Sequence, residues 1–143
     1  MGRSDLRPLS ELRLAPGHYE SMRAHLESCL PLEGCGLLAG EGFSVREVIP
    51  VDNQARSPVR FLMDPVEQLR AFDSIDSHGL DLLAIFHSHP EGPEKPSPTD
   101  MAEAAYPVVY MIWSHADGSW KVRGFSIAGG RLSEVKLVFA DGS

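Results

Sequence analysis

Apolar positions along the chain switch between two spacings, and the switches mark the elements. Over residues 16–30, Tyr19, Met22, Leu26, Cys29 and Leu30 recur every three or four positions with charges between them. That spacing predicts an amphipathic helix, ended by Pro31. Residues 36–39 and 45–51 read as strands turned by Gly40-Glu41-Gly42. A polar stretch, 52–57, reads as a loop that could flank a substrate groove, and 60–63 as a short strand. Asp64-Pro65-Val66-Glu67 is a helix start, with Val66, Leu69, Phe72 and Ile75 as its apolar stripe. The run 82–89 is an apolar strand. The Pro- and Gly-rich segment 91–96 must be a loop, and 98–105 is a short third helix. Residues 108–113, 120–127 and 132–139 are strands, turned by Asp117-Gly118 and Gly129-Gly130.

This order of helix, strands, helix and strands predicts an α+β fold with a mixed sheet curling around a core. Residues 1–143 are expected to form a single domain. Within it, 1–14 is a lead-in, flexible over 1–10 and ending in a short edge strand at 11–14.

The bulk properties narrow the function classes. A hydrophobic share of 43% beside 23% charge is that of a globular chain. No apolar run approaches the ~20 residues that span a bilayer, and the first residues carry no signal-peptide core, so a cytoplasmic protein with no membrane partner is expected. The formal net charge of −7 argues against nucleic acid, which needs basic surface to release counterions. The two cysteines, Cys29 and Cys35, lack a zinc-ribbon or redox spacing and are expected to pack as free thiols.

The chemistry concentrates in His87-Ser88-His89-Pro90 and, after a loop, Ser97-Pro98-Thr99-Asp100. Residues i and i+2 of a strand share a face, so His87 and His89 can offer two imidazoles to one ion. Pro90 then stops the strand. Asp100 can return as an anionic third ligand, and two His with one carboxylate plus water is a hydrolytic zinc pattern. The tetrapeptide has a second reading. Ser97 suits an N-cap, Pro98 the first helical position and Asp100 a capping-box acid. The two readings are compatible, because a capped start would hold Asp100 in a fixed direction. Glu33, just before the strand at 36–39, adds a carboxylate. His18 and His25 have no acidic or Cys partners in ligand register and are expected to be partly exposed on the helix, His115 is expected to be solvated in the Asp117-Gly118 turn, and His78 suits a helix C-terminus.

Taken together, Glu33, His87, His89, Pro90, Ser97 and Asp100 resemble the pattern of the JAMM (MPN-domain) metallopeptidases. That pattern is a Glu ahead of a first strand, then His-x-His-Pro, then Ser-x-x-Asp. The resemblance extends over roughly the whole chain. It implies a mixed curved sheet with flanking helices, in a cytidine-deaminase-like α/β/α arrangement. It implies one Zn2+ per chain on His87, His89 and Asp100, with Glu33 as general base and Ser97 as donor to the oxyanion. The implied reaction is hydrolysis after the C-terminal Gly-Gly of a ubiquitin-like or sulfur-carrier protein. A polar loop and sheet edges beside the site suit an extended tail held by strand addition. Glycine in that tail would let the carbonyl approach the ion closely. Two other readings stay open: a noncatalytic MPN interaction module, and a zinc hydrolase of other amides. A homodimer is also left open.

Overall fold

The computed structural model describes residues 9–139. The flexible lead-in expected at 1–10 thus falls outside the described residues up to position 8. Seven strands follow the order β1-β3-β2-β4-β5-β6-β7 around a closed barrel. They are β1 Glu11–Leu14, β2 Cys35–Glu41, β3 Ser44–Val51, β4 Asp81–His89, β5 Val109–Ala116, β6 Ser119–Ala128 and β7 Arg131–Phe139. The helices are α1 Pro16–Cys29, α2 Pro65–Ser77 and α3 Pro98–Glu103. The sheet is mixed, since β4·β5 and both pairings of β1 are parallel and the rest antiparallel.

β1 is not the edge strand expected of it. It pairs with β7 over all four of its residues and touches β3 at Arg13. Leu12 and Leu14 are buried, so docking β1 removes both leucines and two rows of peptide groups from water at once. The central strands carry apolar side chains on both faces, which is why they read as near-continuous hydrophobic runs. One face, with Leu38, Phe86, Met111 and Trp113, packs on Met22 and Leu26 of α1. The other, with Leu37, Ile85 and Tyr110, packs on Ala71 and Ile75 of α2.

α1 starts at Pro16, and His18 Nδ1 accepts the Ala15 N–H at 3.0 Å. His25, expected to be partly exposed, is half-buried and donates Nε2–H to the Cys35 carbonyl at 3.0 Å. α2 is capped as its sequence predicts, with Asp64 Oδ1 accepting from Val66 N and Glu67 N. Its buried stripe differs from the expected one. Val66 and Leu69 are exposed, while Ala71 and Ile75 face the sheet. At about 100° per residue, Val66 lies about 180° around the helix from Ile75, so the four expected positions never shared a face.

Residues 60–63 form only an isolated bridge, Asn53 to Met63, instead of a strand. The Asn53 side chain holds this segment, accepting the Leu62 N–H and donating to the Arg60 carbonyl. β5 runs on to Ala116, so His115 lies on a strand and rests its ring against Trp120. Cys29 and Cys35 are free thiols. Among the described residues no helix is long and apolar enough to cross a membrane.

Candidate metal centre

β4 delivers the two histidines to one place. Ile85, His87 and His89 alternate with Phe86 and Ser88, which turn toward the α1 side. His87 and His89 are 1% and 5% exposed. α3 delivers the carboxylate. Ser97 Oγ accepts the Asp100 N–H at 3.0 Å, and Asp100 Oδ2 accepts the Ser97 N–H at 2.8 Å. That is a capping box. The same Oδ2 stands 3.2 Å from His87 Nε2 and 3.1 Å from His89 Nε2. The cap and the approach to the histidines thus coexist in one side chain.

The two Nε2 atoms are themselves 3.2 Å apart, which closes a triangle. Donors bound at about 2.0–2.1 Å to a tetrahedral ion stand about 3.3 Å from one another. The three residues therefore have the chemistry and the spacing to hold one divalent cation. His89 is also oriented from outside. Its Nδ1–H donates to the Pro93 carbonyl at 2.8 Å, which keeps the lone pair on Nε2. Phe61 stacks on the His87 ring, with centroids 4.4 Å apart.

Glu33 lies in the turn before β2. The antiparallel register Cys35 to His87 brings position 33 level with the end of β4. Its side chain is almost fully buried, and Oε1 has no hydrogen-bond partner among the described residues. Burial pushes this carboxyl up to about 8, and Asp100 adds to the effect while His89 opposes it. Burial also disfavours charge on Asp100, but the two histidines outweigh it and hold the carboxyl well below its usual range. His87 is lowered by burial; for His89 burial acts the same way, but Asp100 and the Pro93 carbonyl reverse the net direction. The arrangement is one buried carboxyl that favours its proton beside one that stays ionised. A bound cation would pull Glu33 back toward the carboxylate.

A pH dependence follows for the metal-free protein. The folded state keeps the Glu33 proton up to about 8, whereas the unfolded chain releases it near 4.5. Between these values the native state binds more protons, so this group's contribution to stability declines as pH rises and is level above and below the window. Denaturant titrations of metal-free wild type and Glu33→Gln across that window should show a smaller decline in the variant. Equal slopes would contradict the burial argument.

Three contributors escape a reading of the sequence. The Pro93 carbonyl and the Phe61 ring reach the histidines from loops and leave no local signal. Ser88 does leave one, since strand alternation turns it away from its histidine neighbours and into the core, where a hydroxyl needs a partner.

Comparison with known proteins shows the family. The chain is 46% identical over 123 residues to a Thermus thermophilus protein named as a probable TtuB-protein conjugate cleaving protease, covering 85% of this chain and 78% of that one. It is 34% identical over 126 residues to a desampylase of Pyrococcus furiosus, covering 87% and 89%. A solution structure of a Desulfitobacterium hafniense protein superposes with a TM-score of 0.83 at 34% identity, covering 92% of this chain and 94% of the other. The Prok-JAB profile, described as prokaryotic homologs of the JAB domain, matches residues 15–124. With a His-His-Asp triangle at the end of β4 and this match over most of its length, the chain belongs to the Prok-JAB family.

Proposed function

We propose that this chain is a zinc metallopeptidase that hydrolyses the amide bond following the C-terminal Gly-Gly of a ubiquitin-like or sulfur-carrier protein. The observation that carries the reading is the triangle of His87, His89 and Asp100 with the buried Glu33 carboxyl beside it, whose Oε1 has no partner among the described residues. In it, His87, His89 and Asp100 hold one Zn2+. Bound zinc supplies a Lewis acid that brings the ionisation of water to near pH ~7.

Glu33 takes the proton of the attacking water and later gives it to the leaving amine. Ser97 keeps its own hydroxyl proton unengaged among the described residues, since Oγ acts as acceptor toward Asp100 N–H. That proton is donated to the oxyanion of the tetrahedral intermediate.

Strand addition cannot use β4 itself. β4 has β2 on one side and β5 on the other, so the strand that bears the histidines offers no edge. Two grooves flank the triangle instead. One, about 260 Å3, runs between Phe61, Leu62, Ile85 and Tyr106 on the His87 side. The other, about 430 Å3, lies beyond His89 between Pro93, Lys95, Ser114 and Lys121. The apolar groove suits an extended tail, and the second leaves room for the departing amine. The names of two relatives, a probable TtuB-protein conjugate cleaving protease and a desampylase, support this assignment.

The test is mass spectrometry of carrier proteins extended past Gly-Gly, incubated with wild type and Glu33→Gln. Cleavage directly after Gly-Gly by wild type alone is expected. Equal cutting of unrelated unfolded peptides would remove the carrier reading. Ser97→Ala should fall between wild type and Glu33→Gln. Losing an oxyanion donor costs ~10² to 10³ in turnover, and losing the cap costs about 0.5–2 kcal/mol of stability. Turnover and Tm measured together separate the two effects, and unchanged turnover in a destabilised variant would leave Ser97 as a cap only.

A further inference from the structure

The Glu33–Gly34 peptide unit is held at both of its polar atoms by side chains from different parts of the fold. Its carbonyl oxygen accepts Asn53 Nδ2–H at 3.0 Å, and its N–H donates to Ser88 Oγ at 2.8 Å. The Ser88 backbone N–H returns to the Gly34 carbonyl at 3.0 Å, and the Glu33 N–H donates to the Ser57 carbonyl at 2.8 Å. The unit is also pressed onto α1. A Cβ on Gly34 would stand 2.8 Å from both Cys29 Sγ and Leu26 Cδ2.

Asn53 uses its whole amide. Nδ2 donates to the Glu33 and Arg60 carbonyls, and Oδ1 accepts from Ala55 N and Leu62 N. Ser88 is fully buried and sits between the two histidines on β4. These two side chains therefore tie the backbone of Glu33 to the strand that carries His87 and His89, and to the loop that carries Phe61. With the Glu33 N–H held by the Ser57 carbonyl on one side and the Glu33–Gly34 peptide held at both polar atoms on the other, both dihedrals of Glu33 are set, and with them its Cα–Cβ direction and the reach of its carboxylate.

We infer that Asn53 and Ser88 are positioning residues, whose joint grip on the Glu33–Gly34 peptide sets the Glu33 carboxylate against the His-His-Asp triangle. This rests on the reading of Glu33 as the base. A carboxylate displaced by about 1 Å loses about 100-fold in rate, so the grip is expected to act on turnover and leave substrate affinity alone. Asn53 also links the base to one wall of the apolar groove, through Leu62.

The test uses the zinc-loaded protein and a carrier extended past Gly-Gly. Asn53→Asp keeps both acceptor bonds of the loop and removes both donors, while Ser88→Ala removes the other half of the grip. Each should lower kcat about 10- to 100-fold, with zinc content retained and KM within about twofold, and Ser88→Thr should restore most of the loss. In a Glu33→Gln background, under single-turnover conditions, the same changes should lower the residual rate no further, because they act through Glu33. An independent readout is amide hydrogen exchange at Gly34 in the metal-free protein. It should quicken by at least about tenfold in Ser88→Ala, with β6 amides unchanged. Loss that adds to Glu33→Gln, a change confined to KM, or Gly34 exchange as slow as in wild type would each overturn the inference. Full activity of Glu33→Gln alone would instead remove the base reading, and the positioning role with it.

Discussion

Glu33→Gln is expected to keep its zinc and lose its activity. The substitution preserves size and polarity in a site where the side chain is 4% exposed, so packing around β2 should not change. What disappears is proton transfer. General base catalysis contributes ~10² to 10⁴ in rate, and that is the expected loss. The amide also removes a buried ionisable group, so the metal-free variant should tolerate alkaline pH at least as well as wild type. Metal analysis and turnover on the same preparation decide the matter. If zinc leaves with the activity, Glu33 is a ligand and the assignment of roles is wrong.

The second large effect is expected from His89→Ala. His89 supplies one corner of the donor triangle, and a two-donor remnant falls below the three protein ligands of catalytic zinc sites. Removing an outer hydrogen-bond partner costs roughly 10- to 100-fold in metal affinity, and removing a ligand should cost more. Purified His89→Ala should therefore carry little zinc and show no cleavage, with His115→Ala as a control that keeps both. Full zinc occupancy in a variant lacking His87, His89 and Asp100 together would show that the metal sits elsewhere.

The parts of the fold that were legible in the sequence are those written locally. The 16–30 periodicity placed α1 to within a residue, Asp64 marked the start of α2, and the alternation around His87 and His89 put both rings on one face. The parts that were not legible depend on partners distant in the chain. Nothing near Glu11–Leu14 says that β7, more than a hundred positions on, closes the sheet against it. The α2 stripe failed for a different reason. Val66 and Leu69 are apolar but exposed, so their hydrophobicity marked a surface and not the core. Asn53 read as one polar residue in a polar loop, and its four hydrogen bonds exist only because residues 33, 55, 60 and 62 converge on it.

The short helix α3 buries none of its side chains. Six residues cannot sustain a helix in water by themselves, so its persistence rests on the Ser97–Asp100 box and on whatever Asp100 grips. With the metal in place, ion binding becomes folding energy for this one turn and the Pro-rich loop before it. Removing the ion should then loosen residues 91–104 without melting the barrel, so that a protease nicks the chain there first. Loss of the proposed ion would then be registered as a local order–disorder transition at the mouth of the site.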